Sequence, residues 1–170
     1  HLVRRQEGLG RPAQQRGVVA RHRRDDQELG PARAQLAEGA VVLLELAPVD
    51  PRSLMQGDYM ALRFKVETDA FGRARKEELA DGRIVARQDE RGVAAFVRRH
   101  GGEPLGPGER LLRYRVRAGR VKFATNAFFF QEGHARRYER ERYDEFRAAP
   151  GGELLLTHLR GENLDRLGPD

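Results

Sequence analysis

Leu112-Arg113-Tyr114-Arg115-Val116-Arg117-Ala118-Gly119-Arg120-Val121-Lys122-Phe123-Ala124-Thr125 is the stretch whose pattern decides the fold. Leu112, Tyr114 and Val116 alternate with Arg113, Arg115 and Arg117, and after Ala118-Gly119 the residues Val121, Phe123 and Thr125 resume the alternation. Successive strand side chains point to opposite faces, so a period of two means one buried face and one wet face. Two such runs joined by a two-residue link with glycine make a hairpin. Antiparallel strands are therefore the expected framework. Arg113, Arg115, Arg117, Arg120 and Lys122 share its outer face, where cations keep a sheet soluble and guard its edges. The same row is placed to meet phosphates or lipid headgroups.

Working upstream, residues 83–88 and 93–98 flank the turn composition Asp89-Glu90-Arg91-Gly92 and predict a second hairpin. Residues 101–108, with Pro104 and Pro107, read as a loop, and residues 69–81 as a polar connection with one helical turn near Lys76-Glu77-Glu78-Leu79. Before that stands Gly57-Asp58-Tyr59-Met60-Ala61-Leu62-Arg63-Phe64. Met60, Leu62, Phe64 and Val66 alternate with Ala61, Arg63, Lys65 and Glu67, which predicts a strand with Leu62 and Phe64 in the core and Tyr59 on the other set. Asp50 before Pro51 suits the start of a short helical turn. Two turns so close in sequence predict a polar cluster of Asp50, Arg52, Asp58 and Tyr59 at one end of the sheet.

Downstream, Phe128, Phe129 and Phe130 lead into Glu132-Gly133, a predicted turn. Residues 134–147 are good helix formers without proline, so a surface-packed helix is expected there. Ala149-Pro150-Gly151-Gly152 stops it, and residues 153–159 make a last strand.

The run Gly57 to Phe64, the apolar strand before it from Val41 to Leu46 and the Glu132-Gly133 turn together resemble the GDYXXLXY family, over a span from near Leu36 to about Leu159. Phe64 stands where the family's motif has tyrosine. The resemblance implies a bacterial protein anchored in the membrane, with its globular part outside the cytoplasm and a partner among membrane or envelope proteins. It implies no reaction. Members typically carry an N-terminal hydrophobic anchor, and here that place is held by an arginine-rich stretch.

Residues 1–32 contain Arg4, Arg5, Arg11, Arg16, Arg21, Arg23 and Arg24 against Glu7, Asp25, Asp26 and Glu28, a surplus of 3 out of the whole chain's net charge of +6. With no apolar period and no aromatic residue, this tail is expected to be disordered, and it lacks the rings that single-stranded nucleic acids stack on. The absence of cysteine excludes disulfides and thiolate metal sites. No phosphate loop, zinc-protease helix or nucleophile elbow occurs. His134 beside Glu132 is the nearest thing to an acid/base pair, and no catalytic, cofactor or metal residue is assigned.

The expected architecture is a mainly antiparallel α+β domain, a small sandwich or partly open barrel of about seven strands with one main helix near the C-terminal end. It spans residues 33–165, between the basic tail at 1–32 and a flexible end at 166–170. The leading functional reading is an interaction module of the cell envelope, with Asp50, Arg52, Gly57, Asp58, Tyr59, Leu62, Phe64, Glu132 and Gly133 as the motif and contact residues. A hydrolase using the carboxylates of Asp50, Asp58 and Glu132 is the alternative, and a basic nucleic-acid binder comes third.

Overall fold

The computed structural model describes residues 38–48, 55–56, 59–124, 127–130, 133 and 135–168, all of which fall in one compact unit, residues 32–170. The deciding hairpin is formed by strands β6 (Glu109–Arg117) and β7 (Arg120–Lys122), paired in register with Val116 opposite Val121. Ala118 and Gly119 both take positive φ, 51° and 70°, the geometry of the tight turn that follows the right-handed twist of the strands. The second hairpin is β4 (Gly82–Gln88) and β5 (Ala94–Arg99), closed by Asp89, whose carboxylate accepts the Arg91 and Val93 amides at 2.8 and 3.0 Å.

The remaining elements are β1 (Ala40–Glu45), β2 (Met55–Gln56), β3 (Tyr59–Ala61), α1 (Lys65–Phe71), β8 (Ala127–Phe129), β9 (Glu141–Ala148), β10 (Leu154–Gly161) and β11 (Arg166–Leu167). They build three antiparallel sheets, ordered β1-β9-β10-β11, β2-β3-β8 and β5-β4-β6-β7. The sheets meet at their margins: the Leu43 amide donates to the Gly92 carbonyl at 3.0 Å, Leu46 bridges to Phe64, and the Arg113 amide donates to the Gly152 carbonyl at 2.8 Å. The result is the expected mainly antiparallel α+β fold, a partly open barrel around one large core. Leu62, Phe64, Leu112, Tyr114 and Phe123 all belong to that core, with Val42, Leu44 and Phe146.

The helix differs from expectation in place and size. Residues 141–148 form strand β9, and a single 3₁₀ turn at Ala135–Arg137 is what precedes it. β9 is paired on both sides, by β1 and by β10, so tertiary pairing overrides the helix propensity of its arginines and glutamates. The α-helix lies instead directly after the motif strand, where the chain turns at Phe64 and α1 buries Val66 and Phe71. The period-two reading ran on through Val66 because the first buried helical residue happens to keep the parity of Leu62 and Phe64. Ordered structure also continues past residue 165, since β11 pairs with β10.

Gly152 carries the junction between β6 and the turn linking β9 to β10. Its φ is +95°, and a Cβ there would stand 2.9 Å from the Arg113 nitrogen. Gly152→Ala is therefore expected to destabilise the fold by about 1–3 kcal/mol, measured by urea denaturation; an unchanged midpoint would show that the junction yields freely.

Candidate functional site

The motif strand β3 ends at Ala61, and the residues after it divide sharply between core and surface. Leu62 and Phe64 are 1% and 0% exposed, while Arg63 between them faces solvent. Phe64 keeps extended backbone and its carbonyl accepts the Glu67 amide at 3.1 Å, so the chain enters α1 there. The helix then stands across from the β6–β7 turn, leaving an open groove of about 1060 Å³ between them. Its walls are Ala61, Leu62 and Arg63 of the motif, Glu67 and Phe71 of α1, Lys76 and Leu79 of the connection, and residues 117–122 of the hairpin. A Cβ at Gly119 would lie 3.2 Å from Cδ of Lys76, so the lysine stem crosses the turn closely.

Five cations line this groove: Arg63, Lys76, Arg117, Arg120 and Lys122. Arg117 is engaged by Asp81 at 3.3 Å. The Val116 amide, donating to Asp81 at 2.7 Å, is the chief cause that holds the Asp81 carboxyl below its ordinary range, although partial desolvation opposes it. Arg63, Lys76, Arg120 and Lys122 make no ion pair among the described residues. Glu67 is the acid within the groove. Burial raises its carboxyl above the usual range, while Arg63, a backbone hydrogen bond at Phe64 and Arg120 pull it back. One of its oxygens is buried without a hydrogen-bond partner.

Of the residues singled out from sequence, Asp50, Arg52, Gly57, Asp58 and Glu132 lie outside the described residues, as do His134 and the basic tail 1–32. The proposed polar cluster is thus represented by the backbone of Tyr59, which pairs with Gln56 on one side and Phe129 on the other. Gly133 has φ +82°, fitting the predicted turn. The outer row of cations on the β6–β7 hairpin is exposed throughout, yet it splits in use: Arg113 lies 3.6 Å from Glu153, whereas Arg117, Arg120 and Lys122 reach the groove. Arg63 and Lys76 complete that lining from distant positions that no local pattern connects.

A second cluster was missed because it lies in the segment read as a helix. Glu141, Asp144 and Glu145 on β9 are 3%, 0% and 2% exposed. Residues three apart on a regular strand face opposite ways. Here the pairing passes from Tyr143 opposite Arg160 to Glu141 opposite Gly161, so Arg142 is an extra, bulged residue and Glu141 joins Asp144 on the core side. Neither carboxyl receives a hydrogen bond from an N–H or hydroxyl among the described residues. Each is the other's polar neighbour, so the pair must hold a proton. Burial is the main cause that pushes Glu141 up to about 12 and Asp144 up to about 6, and the contact with Asp144 adds to the rise at Glu141.

Glu145 faces the other side of β9 and is satisfied there. Arg160 donates to it through Nε at 2.6 Å and through Nη2, and Thr157 donates at 3.3 Å. His158 Nδ1 also lies 3.3 Å away. A second bulge, between Leu156 and His158 on β10, brings Thr157 and His158 together onto it. Burial disfavours the charge of Glu145, but Arg160 and His158 outweigh it and keep the carboxyl below its usual range. This is a staple across two strands, with its charge matched in place.

The family model described as GDYXXLXY protein matches residues 29–159. No curated protein matches the chain, and no solved structure does.

Proposed function

Because the chain belongs to the GDYXXLXY family, whose motif strand here ends in one wall of the cationic groove, we propose that the domain is a non-enzymatic interaction module of the membrane or cell envelope. The observation that carries this reading is the groove itself. Ala61, Leu62 and Arg63, within the motif, border it, and four of its cations have no ion-pair partner among the described residues. Cations carried on the β6–β7 hairpin, on the segment between β3 and α1 and on the connection after α1 are brought together before any partner arrives, which lowers the ordering cost of association. Asp50, Arg52, Asp58 and Tyr59 are carried as candidate contact residues on the strength of the sequence motif alone.

The hydrolase reading asks two carboxyls to face a substrate in one cleft. The described pair that does meet, Glu141 and Asp144, is sealed at 3% and 0% exposure, an arrangement for keeping a proton inside a core. Nucleic acid is disfavoured by Glu67 in the groove wall, since a carboxyl there opposes a phosphate backbone.

The test is capture of envelope proteins by the full chain, quantified by mass spectrometry, with the wild type beside Arg63→Ala/Arg120→Ala and Arg52→Ala/Asp58→Ala variants of equal melting temperature. A specific partner retained by the wild type and lost from the groove variant is the expected result. Identical partner profiles for all three proteins would overturn the reading.

A further inference from the structure

We propose that the groove between α1 and the β6–β7 hairpin binds an extended acidic peptide segment of its partner, one in which apolar side chains alternate with carboxylates. The proposal deepens the interaction-module reading and rests on it.

Three observations select this ligand. The first is charge: Arg63, Lys76, Arg120 and Lys122 face a groove that holds one acid of its own, Glu67, because Asp81 lies against Arg117. A ligand of opposite sign is both attracted and oriented by such a rim. The second is the floor, where the half-buried Ala61, Ala74 and Leu79 line the groove between the cations, over Leu62 and Phe71, which the core already covers. A small polyanion would leave that apolar surface wet, whereas a chain with alternating apolar and acidic side chains covers it while its carboxylates reach the rim. The period of an extended strand places successive side chains on opposite sides, which suits a groove with an apolar base and charged walls.

The third observation is Glu67. Its carboxyl stands in the wall with one oxygen unpartnered, and burial resists its charge. A bare phosphate or a lipid headgroup of the phosphatidylglycerol type brings negative oxygens to this carboxylate. A peptide brings acids to the arginines on either side and can turn backbone N–H donors, in place of negative oxygens, towards the accessible side of Glu67. The opening is concave, so a flat bilayer surface cannot seat itself against the floor.

The experiment uses the full chain and fluorescence anisotropy with a labelled eight-residue peptide of alternating glutamate and leucine. Controls are the same peptide with lysine for glutamate, a polar version with serine for leucine, inorganic phosphate as competitor, phosphatidylglycerol vesicles and a single-stranded oligonucleotide. The acidic-apolar peptide is expected to bind at low salt, to weaken steadily as salt is raised, and to lose roughly tenfold or more in affinity with Arg63→Glu/Arg120→Glu. Glu67→Gln is expected to keep binding, since an amide oxygen still accepts the peptide N–H. Equal binding of the lysine peptide, equal binding by the charge-reversed variant, or binding of vesicles or oligonucleotide in place of the peptide would each overturn the proposal. If the envelope partner is still lost from the Arg63→Ala/Arg120→Ala protein while no acidic peptide binds, the module reading stands and the peptide inference alone falls. If neither responds, both fall.

Discussion

Glu141→Gln is expected to leave the protein about as stable as the wild type at pH 5 and clearly more stable at pH 8. Glu141 and Asp144 are both buried on the core side of β9 with no donor among the described residues, and burial raises both carboxyls above their ordinary values of 4.5 and 3.8. A group whose folded value is raised contributes fully while the unfolded chain is also protonated. That contribution is lost as pH rises towards the folded value. From about pH 4 to 6, therefore, the unfolded chain sheds protons that the folded pair keeps. Through neutral pH the pair still keeps one proton between its two carboxyls, because burial resists the second charge. Each retained proton costs on the order of 1.4 kcal/mol of stability per pH unit.

Glutamine at position 141 is neutral at every pH and carries an amide N–H to donate to Asp144. The advantage of the variant over the wild type should then widen by about 1.4 kcal/mol for each unit between pH 6 and pH 8. Urea denaturation of both proteins at pH 5, 6, 7 and 8 reads this directly. Taking the difference between the two removes the other carboxyls, such as Glu109, which is lowered to about 2 chiefly by Arg98 and stabilises in the opposite sense. Parallel curves for the two proteins would mean that the pair holds no proton.

The readable parts of this fold were those where one face is wet. In the β6–β7 hairpin arginine and apolar residues alternate because only one side of the sheet is covered, and the turn is announced by Ala118-Gly119. Leu62 and Phe64 followed from the same rule. β9 was illegible because it lies between β1 and β10, and Tyr143, Asp144, Glu145 and Phe146 are all buried in succession, which leaves no period. Its acids are answered by Arg160 and His158, or by each other across a bulge, and such compensation does not show in a local window. α1 escaped notice for a different reason: it has seven residues and its first position follows Phe64, which makes no side-chain cap. The groove needed the whole fold, since Arg63, Lys76 and Arg120 come from three separate segments.

Phe64→Ala is expected to cost about 3–5 kcal/mol, as large as any single truncation in this core. The ring is 0% exposed and meets Phe146 edge to face with centroids 5.7 Å apart, so its removal deletes both area and an aromatic pair. Phe64 is also the residue at which three parts of the structure meet: it bridges to Leu46 just past β1, follows the motif strand, and accepts the Glu67 amide in the first turn of α1. The variant should therefore lose α1 and the groove together with stability. Phe64→Tyr restores the ring that the family motif has and adds one hydroxyl, which costs at most about 1–3 kcal/mol if it finds no partner in the core. Thermal and urea denaturation of the three proteins separates the two contributions. A tyrosine variant as unstable as the alanine one would show that the core has no room for the family's own residue at this position, and that Phe64 marks a repacked interior.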